Sequence, residues 1–350
     1  MPGRDLCRRF HATAVRPLLS GIPHAAALLG AGSEVLGFDD DVSPDHDFGP
    51  RCQVFVADDA VEAAKKALED LPDEFEGLPV RHPHWGGPAR HQVEVGTVAG
   101  YFRAQLGVDP ADGLTLTDWL TSPTQRLVSL VDGEVFADPE GELESRRLTL
   151  RWYPDDVWRY ALASAWLRIG QEEAFVGRTG AVGDDLGSAV VTARLARDLM
   201  RLAFLVERRW APYSKWLGTA FARLPIAGRL TPHLGEALAA GDWRAREAAL
   251  CEAGEILAAA TNALGLAAPV EENARQYYTR DIRVVGGERF TGALVAAITD
   301  PEITGLLERL GSRADAVGRL PGTIDQAADS VDVLSSPERC RAAAAMLGVG

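Results

Sequence analysis

Lysine is almost missing from this chain: only Lys65, Lys66 and Lys215 occur, so arginine carries nearly all the positive charge. No Gly-Lys dipeptide exists, which removes the phosphate-binding P-loop. Cysteine is also scarce. Cys7, Cys52, Cys251 and Cys340 show no C-x-x-C spacing, excluding a zinc knuckle and a disulfide framework and fitting a reducing, cytoplasmic setting. Long apolar runs are absent too. None approaches the ~18 residues of a membrane span, and residues 15–32 are broken by Gly21, Pro23 and His24 before a signal-peptide core could form. Positive charge is in deficit, with 36 bases against 50 acids and a net charge of −14. A broad phosphate-binding face needs clustered cations, so a bulk nucleic-acid partner is disfavoured.

What is present describes a globular chain of 350 residues with 47% hydrophobic composition, for which ~150 residues per domain makes two domains the expectation. Residues 60–71 carry helical apolar spacing and end at Pro72, between the strand-like segments 53–56 and 92–98. Residues 127–131, Asp132-Gly133 and residues 134–136 read as a hairpin, because Asp-Gly readily adopts a tight turn. Beyond Pro154 the segments 157–173, 188–209, 243–264 and 290–310 all repeat apolar residues at helical spacing. The expected class is α+β: a mixed-sheet domain over residues 1–150, then a helical bundle over residues 151–350.

Residues 31–48 are the most informative, with five aspartates inside nine positions, Asp39 to Asp47. Such density calls for cations or solvent. If Asp45 and Asp47 begin the strand that residues 53–56 continue, their spacing places both carboxylates on one face. Magnesium prefers such oxygens and keeps positions for phosphate oxygens, so the pair suits metal-assisted phosphoryl or nucleotidyl transfer. Rival motifs fail. A calcium loop starting at Asp41 would need glycine and glutamate where His46 and Cys52 stand, and Ala31 spoils a G-x-S-x-G elbow around Ser33. His82, His84 and His91 supply no fourth zinc ligand, and Pro83 separates the first two.

Gly32-Ser33, eleven residues, then Asp45-x-Asp47 resembles the signature of the DNA polymerase β-like nucleotidyltransferase superfamily. Residues 168–185 and 211–216 look like a bacterial nucleotidyltransferase-like family filed as a domain of unknown function. The layout is similar to kanamycin and lincosamide nucleotidyltransferases. The resemblance implies an N-terminal nucleotidyltransferase domain before a helical one, with a third carboxylate on a later strand. Glu94 is the best-placed candidate for that carboxylate, ahead of Asp112 and Asp118.

On that reading Asp45, Asp47 and Glu94 are catalytic and hold two magnesium ions. Gly32 and Ser33 cradle the triphosphate at a helix start, while Lys215 and Arg178, the latter in an expected loop, add phosphate-binding cations. Gln171, Glu172 and Glu173 end a helix, and one of the two glutamates is a candidate acceptor-binding group or general base, the alternative being a solvated helix end. The expected activity is ATP- and magnesium-dependent transfer of a nucleoside monophosphate, AMP in the expected case, to a hydroxyl of a small acceptor, with pyrophosphate released. Transfer to a tRNA end or a protein side chain is the alternative, and a catalytically silent nucleotide-binding module is the third reading. No membrane partner is expected, and the aromatic-rich helices leave room for a homodimer.

Overall fold

The computed structural model describes residues 3–39, 49–84, 87–311 and 319–350. Its architecture is α+β, and the chain divides into two compact units. The first comprises Met1–Leu114 with Thr124–Arg151; the second comprises Thr115–Pro123 with Trp152–Gly350.

In the first unit, β1 (Ala25–Leu28) and β2 (Arg51–Phe55) are antiparallel neighbours. The two-residue strands β3 (Glu74–Phe75) and β4 (Leu78–Pro79) form a hairpin. With β5 (Arg81–His84), β6 (Gly87–Gly96) and β7 (Glu134–Ala137), β1 and β2 make a five-stranded mixed sheet in the order β5-β6-β2-β1-β7. Among the described residues only β2 and β6 run parallel, and such a pair needs a crossover. The crossover carries the helix Val61–Ala67, flanked by 3-10 turns at Asp58–Ala60 and Leu68–Asp70.

Strand alternation sorts the side chains. Cys52 and Val54 of β2 and Val93 of β6 join a core with Phe10, Val15, Leu19, Ala64 and Leu68. Each fully buried aliphatic or phenyl side chain there contributes roughly 1.5–3 kcal/mol. Arg51, Gln53 and Phe55 therefore point to the opposite face.

The hairpin expected over residues 127–136 is not what forms. Thr124–Val131 is a helix and only Glu134–Ala137 is a strand. Leu127, Val128 and Leu130 are buried from one helix, and that packing overrides the turn signal of Asp132-Gly133. Arg147 then closes the helix end, donating to the carbonyls of Leu130, Val131 and Gly133 at 3.2, 2.6 and 2.7 Å.

The second unit is mainly helical, built around Asp155–Glu172, Asp185–Val206, Ala227–Ala239, Trp243–Ala263 and Gly287–Ala296. Asp184, Asp242 and Asp300 accept hydrogen bonds from the first amides of the helices they precede. The helical pattern of residues 290–310 is divided, because Asp300-Pro301 starts a new helix, Pro301–Arg309. The strands do not stop entirely after residue 154: β8 (Arg275–Gln276) pairs with β9 (Arg283–Val284). Glycine permits one close helix contact. A Cβ on Gly170 would lie 2.9 Å from the Glu288 amide nitrogen, and beside it Trp166 stacks on Phe290 at 4.5 Å. No helix among the described residues is long and apolar enough to cross a membrane.

Candidate functional site

The Gly32-Ser33 turn follows β1 and opens a single-turn helix, Ser33–Leu36, ended by Gly37 in the left-handed region (φ 66°). Arg4 fixes this helix, its Nε donating to Glu34 O at 2.9 Å and its Nη2 to Val35 O. One helical turn carries little macrodipole, so the amide cradle expected at a longer helix start is reduced to a turn. Beside it lies an ion pair. Arg51, the first residue of β2, donates from Nε to Glu34 Oε1 at 2.6 Å and from Nη2 to Ala31 O at 2.5 Å. Both side chains are largely buried, with 14% and 11% exposed.

The register of β2 and β6 sets the rest of this face. Gln53 is paired with Glu94, and partners in register project from the same face. Gln53 is buried and its Oε1 accepts from the Leu29 amide at 2.8 Å, tying β2 to the strand end that leads into the turn. Glu94 is exposed, so its carboxylate is available to solvent. Tyr101 stands edge-on to Phe55, with ring centroids 5.3 Å apart. Its hydroxyl is buried and has no hydrogen-bond partner among the described residues. A Cβ on Gly30 would lie 3.0 Å from that oxygen. Burial raises the Tyr101 phenol, the Glu94 charge raises it further, and Arg51 and Arg126 oppose this. Gly30, Gly32, Ser33, Glu34, Arg51, Gln53, Glu94 and Tyr101 thus belong to one region of the first unit.

The other expected site residues fall elsewhere. Asp45 and Asp47 lie outside the described residues. Asp39, the first aspartate of the acidic run, accepts from the Gly3 amide at 2.6 Å. Asp112 is exposed and pairs with Arg103 at 3.1 Å. Asp118 belongs to the second unit, where it closes a capping box with Thr115 and pairs with Arg341, so its carboxylate is already engaged. Among the described residues no three histidine, cysteine or acidic side chains converge as a metal site. His82 pairs with Arg90 and His91 with Arg81, which turns the two histidines to opposite faces of the sheet.

In the second unit Arg178 lies in the helix Phe175–Gly180, not in a loop, with its guanidinium 5.3 Å from the Phe175 ring centroid. Gly177 and Gly180 were misleading as loop signals, because both serve packing. A Cβ on Gly177 would meet Glu247 at 2.8 Å, and one on Gly180 would overlap Trp243. Lys215 is exposed in the helix Ser214–Phe221, its Nζ 4.9 Å above the Trp216 ring. Glu173 is buried and engaged within the second unit. Its carboxylate accepts from the amides of Val285, Gly286 and Gly287 at 2.7–3.1 Å, and burial pushes it up to about 7 against the pull of those amides. Glu172 is paired with Arg194 at 2.9 Å, and Gln171 is exposed.

Sequence reasoning missed Glu34, Arg51, Gln53 and Tyr101. Gln53 left a signal, a lone amide among Cys52, Val54 and Phe55. Arg51 left none, since arginine is the default cation of this chain. No curated protein matches the chain. Residues 119–217, under a third of the chain, match the model of a family described as a domain of unknown function (DUF4037), a range that contains both Arg178 and Lys215.

Proposed function

We propose that the chain is a nucleotidyltransferase that moves a nucleoside monophosphate, AMP from ATP in the expected case, onto a hydroxyl of a small acceptor and releases pyrophosphate. The observation that carries the reading is the exposed Glu94 carboxylate, held in register with Gln53 on the sheet face whose neighbouring strand end leads into the Gly32-Ser33 turn. In the finer fold assignment, the first unit is a polymerase β-like catalytic domain and the second a helical substrate domain.

Ser33 and the turn backbone bind the triphosphate. Arg51 is the nearest described cation of the turn, and it exchanges Glu34 for a phosphate oxygen, the bidentate recognition that guanidinium favours. Glu94 accepts the proton of the acceptor hydroxyl as that oxygen attacks the α-phosphorus. Carboxylate oxygens are the donors magnesium prefers, so Glu94 fits a magnesium site together with Asp45 and Asp47. When bound, magnesium supplies Lewis acidity at the transferring phosphate. Lys215 and Arg178 are proposed as phosphate ligands on sequence grounds alone. The net charge of −14 favours a cationic small acceptor over a tRNA end.

Calorimetry with magnesium and a non-hydrolysable ATP analogue, followed by pyrophosphate release over an acceptor panel, tests the proposal. Asp45→Asn/Asp47→Asn should abolish analogue binding. Glu94→Gln should keep part of it while lowering turnover by about 100-fold or more. Wild type that binds no triphosphate sinks the reading, and binding without turnover on any acceptor leaves the silent module in its place.

A further inference from the structure

In the second unit the β8–β9 hairpin and the helix Gly287–Ala296 bring two arginines together. The strand register sets Arg275 opposite Val284, two residues ahead of Gly286. Arg289 is the third residue of the helix. Helical side chains lean toward the N-terminus, which carries this one back over the same glycine. Gly286 has φ 76° and no side chain to fill the space. A Cβ there would lie 3.0 Å from Arg289 Nε and 3.4 Å from both Nε and Nη2 of Arg275.

The two guanidinium groups converge without a carboxylate between them. Arg275 is exposed, and its side chain makes no hydrogen bond or ion pair with a described residue. Arg289 donates from Nη2 to carbonyls only, those of Val285 and, at 3.4 Å, Asn273. The nearby acids are spent on amides. Glu173 takes those of Val285, Gly286 and Gly287, and Glu271 takes the backbone and side-chain amides of Asn273 at 3.2 and 2.6 Å. Burial lowers the Arg289 guanidinium from its ordinary value and the Arg275 charge lowers it further, against the pull of Glu173 and Glu271. The first turn of a helix is also the positive end of its dipole, where a cation is unfavourable. Two unpaired cations at such a place oppose stability, and a rule broken locally in this way marks function.

From this convergence we infer that Arg275 and Arg289 form a binding site for the phosphate group of a small ligand. Two guanidinium charges match a phosphate dianion better than a carboxylate, and their planar forks suit its several oxygens. Arg275 offers its whole guanidinium. Arg289 offers Nη1, since its Nε is enclosed and its Nη2 is engaged. The amides at the helix start belong to Glu173, so the site rests on the arginines and not on the helix terminus. It does not depend on the transferase reading.

Titration calorimetry on the full chain, without magnesium and at low ionic strength, tests it with inorganic phosphate, pyrophosphate and acetate. At least one of the two phosphates should bind saturably and acetate should not. The Asp45→Asn/Asp47→Asn variant should bind as wild type does, which separates this site from the proposed triphosphate site. Arg275→Gln should weaken binding by about tenfold, and Arg289→Lys, which keeps the charge and loses the fork, by about threefold or more. Arg16→Gln, which removes an exposed arginine from the first unit, should leave binding unchanged, with melting curves checking that each variant is folded. Failure of both phosphates, equal binding of acetate, binding unchanged in Arg275→Gln, or an equal loss in Arg16→Gln or Asp45→Asn/Asp47→Asn would each overturn the inference. Binding of a short oligothymidylate with neither phosphate bound would overturn it too, giving the surface to a nucleic-acid backbone.

Discussion

At Gly32 two constraints coincide. Its backbone has φ 142°, and a Cβ there would stand 2.6 and 2.7 Å from the Glu34 carboxylate oxygens and closer still to Arg51. Gly32→Ala therefore strains the turn and forces the Arg51–Glu34 pair apart, leaving two largely buried charges poorly matched. A loss of about 2 kcal/mol or more in a denaturant titration is expected. Arg51→Met removes the pair from the other side, together with the hydrogen bond to Ala31 O, and should weaken triphosphate binding. If Gly32→Ala proves as stable as wild type, the turn is not held by this pair. The glycine-serine pair was visible in the sequence because glycine is a local backbone signal. Its ionic partner was not, because Arg51 reaches the turn through a strand pairing that only the fold creates.

Elements differ in how far their own residues determine them. Asp155–Glu172, Asp185–Val206 and Trp243–Ala263 repeat the helical period for four turns or more and are marked by aspartate or proline at their starts, so local sequence suffices. Thr124–Val131 is different. Eight residues rich in leucine and valine fit either period, and the outcome depends on Arg147, which binds the terminal carbonyls from a distant helix. Arg147→Ala should therefore lower stability by about 1–3 kcal/mol. The amides of residues 127–131 should lose hydrogen-exchange protection before the rest of the first unit. Protection unchanged in that segment would show that burial of Leu127, Val128 and Leu130 suffices without the cap. The Glu94 position was legible for the opposite reason: a single acid in a regular alternating strand has its face set by the pattern, whichever neighbour that strand acquires.

Across the whole chain, the two units carry titrating groups of opposite sign. In the first, burial with His24 and Arg16 lowers His11 to about 4, and burial with Arg81 lowers His91. Below the ordinary histidine value of 6.5 the unfolded chain takes up protons that the folded unit refuses, so acidification destabilises the first unit. In the second, burial raises Glu173 to about 7 and raises Glu247 as well. Between the ordinary value of 4.5 and about 7 the folded unit keeps protons that the unfolded chain has released. The stabilisation is complete below that window and is lost as pH rises through it. The lowered carboxyls of Asp109, Asp156 and Asp329 act below their ordinary value of 3.8, outside the window. Lowering the pH from 7 to 5 should thus move the two calorimetric transitions in opposite directions, the second unit upward by about 5 °C. Glu173→Gln should flatten the rising transition and His11→Phe the falling one, which assigns each to its unit. Transitions that shift together, in wild type and in both variants, would mean that neither buried group governs stability in this range.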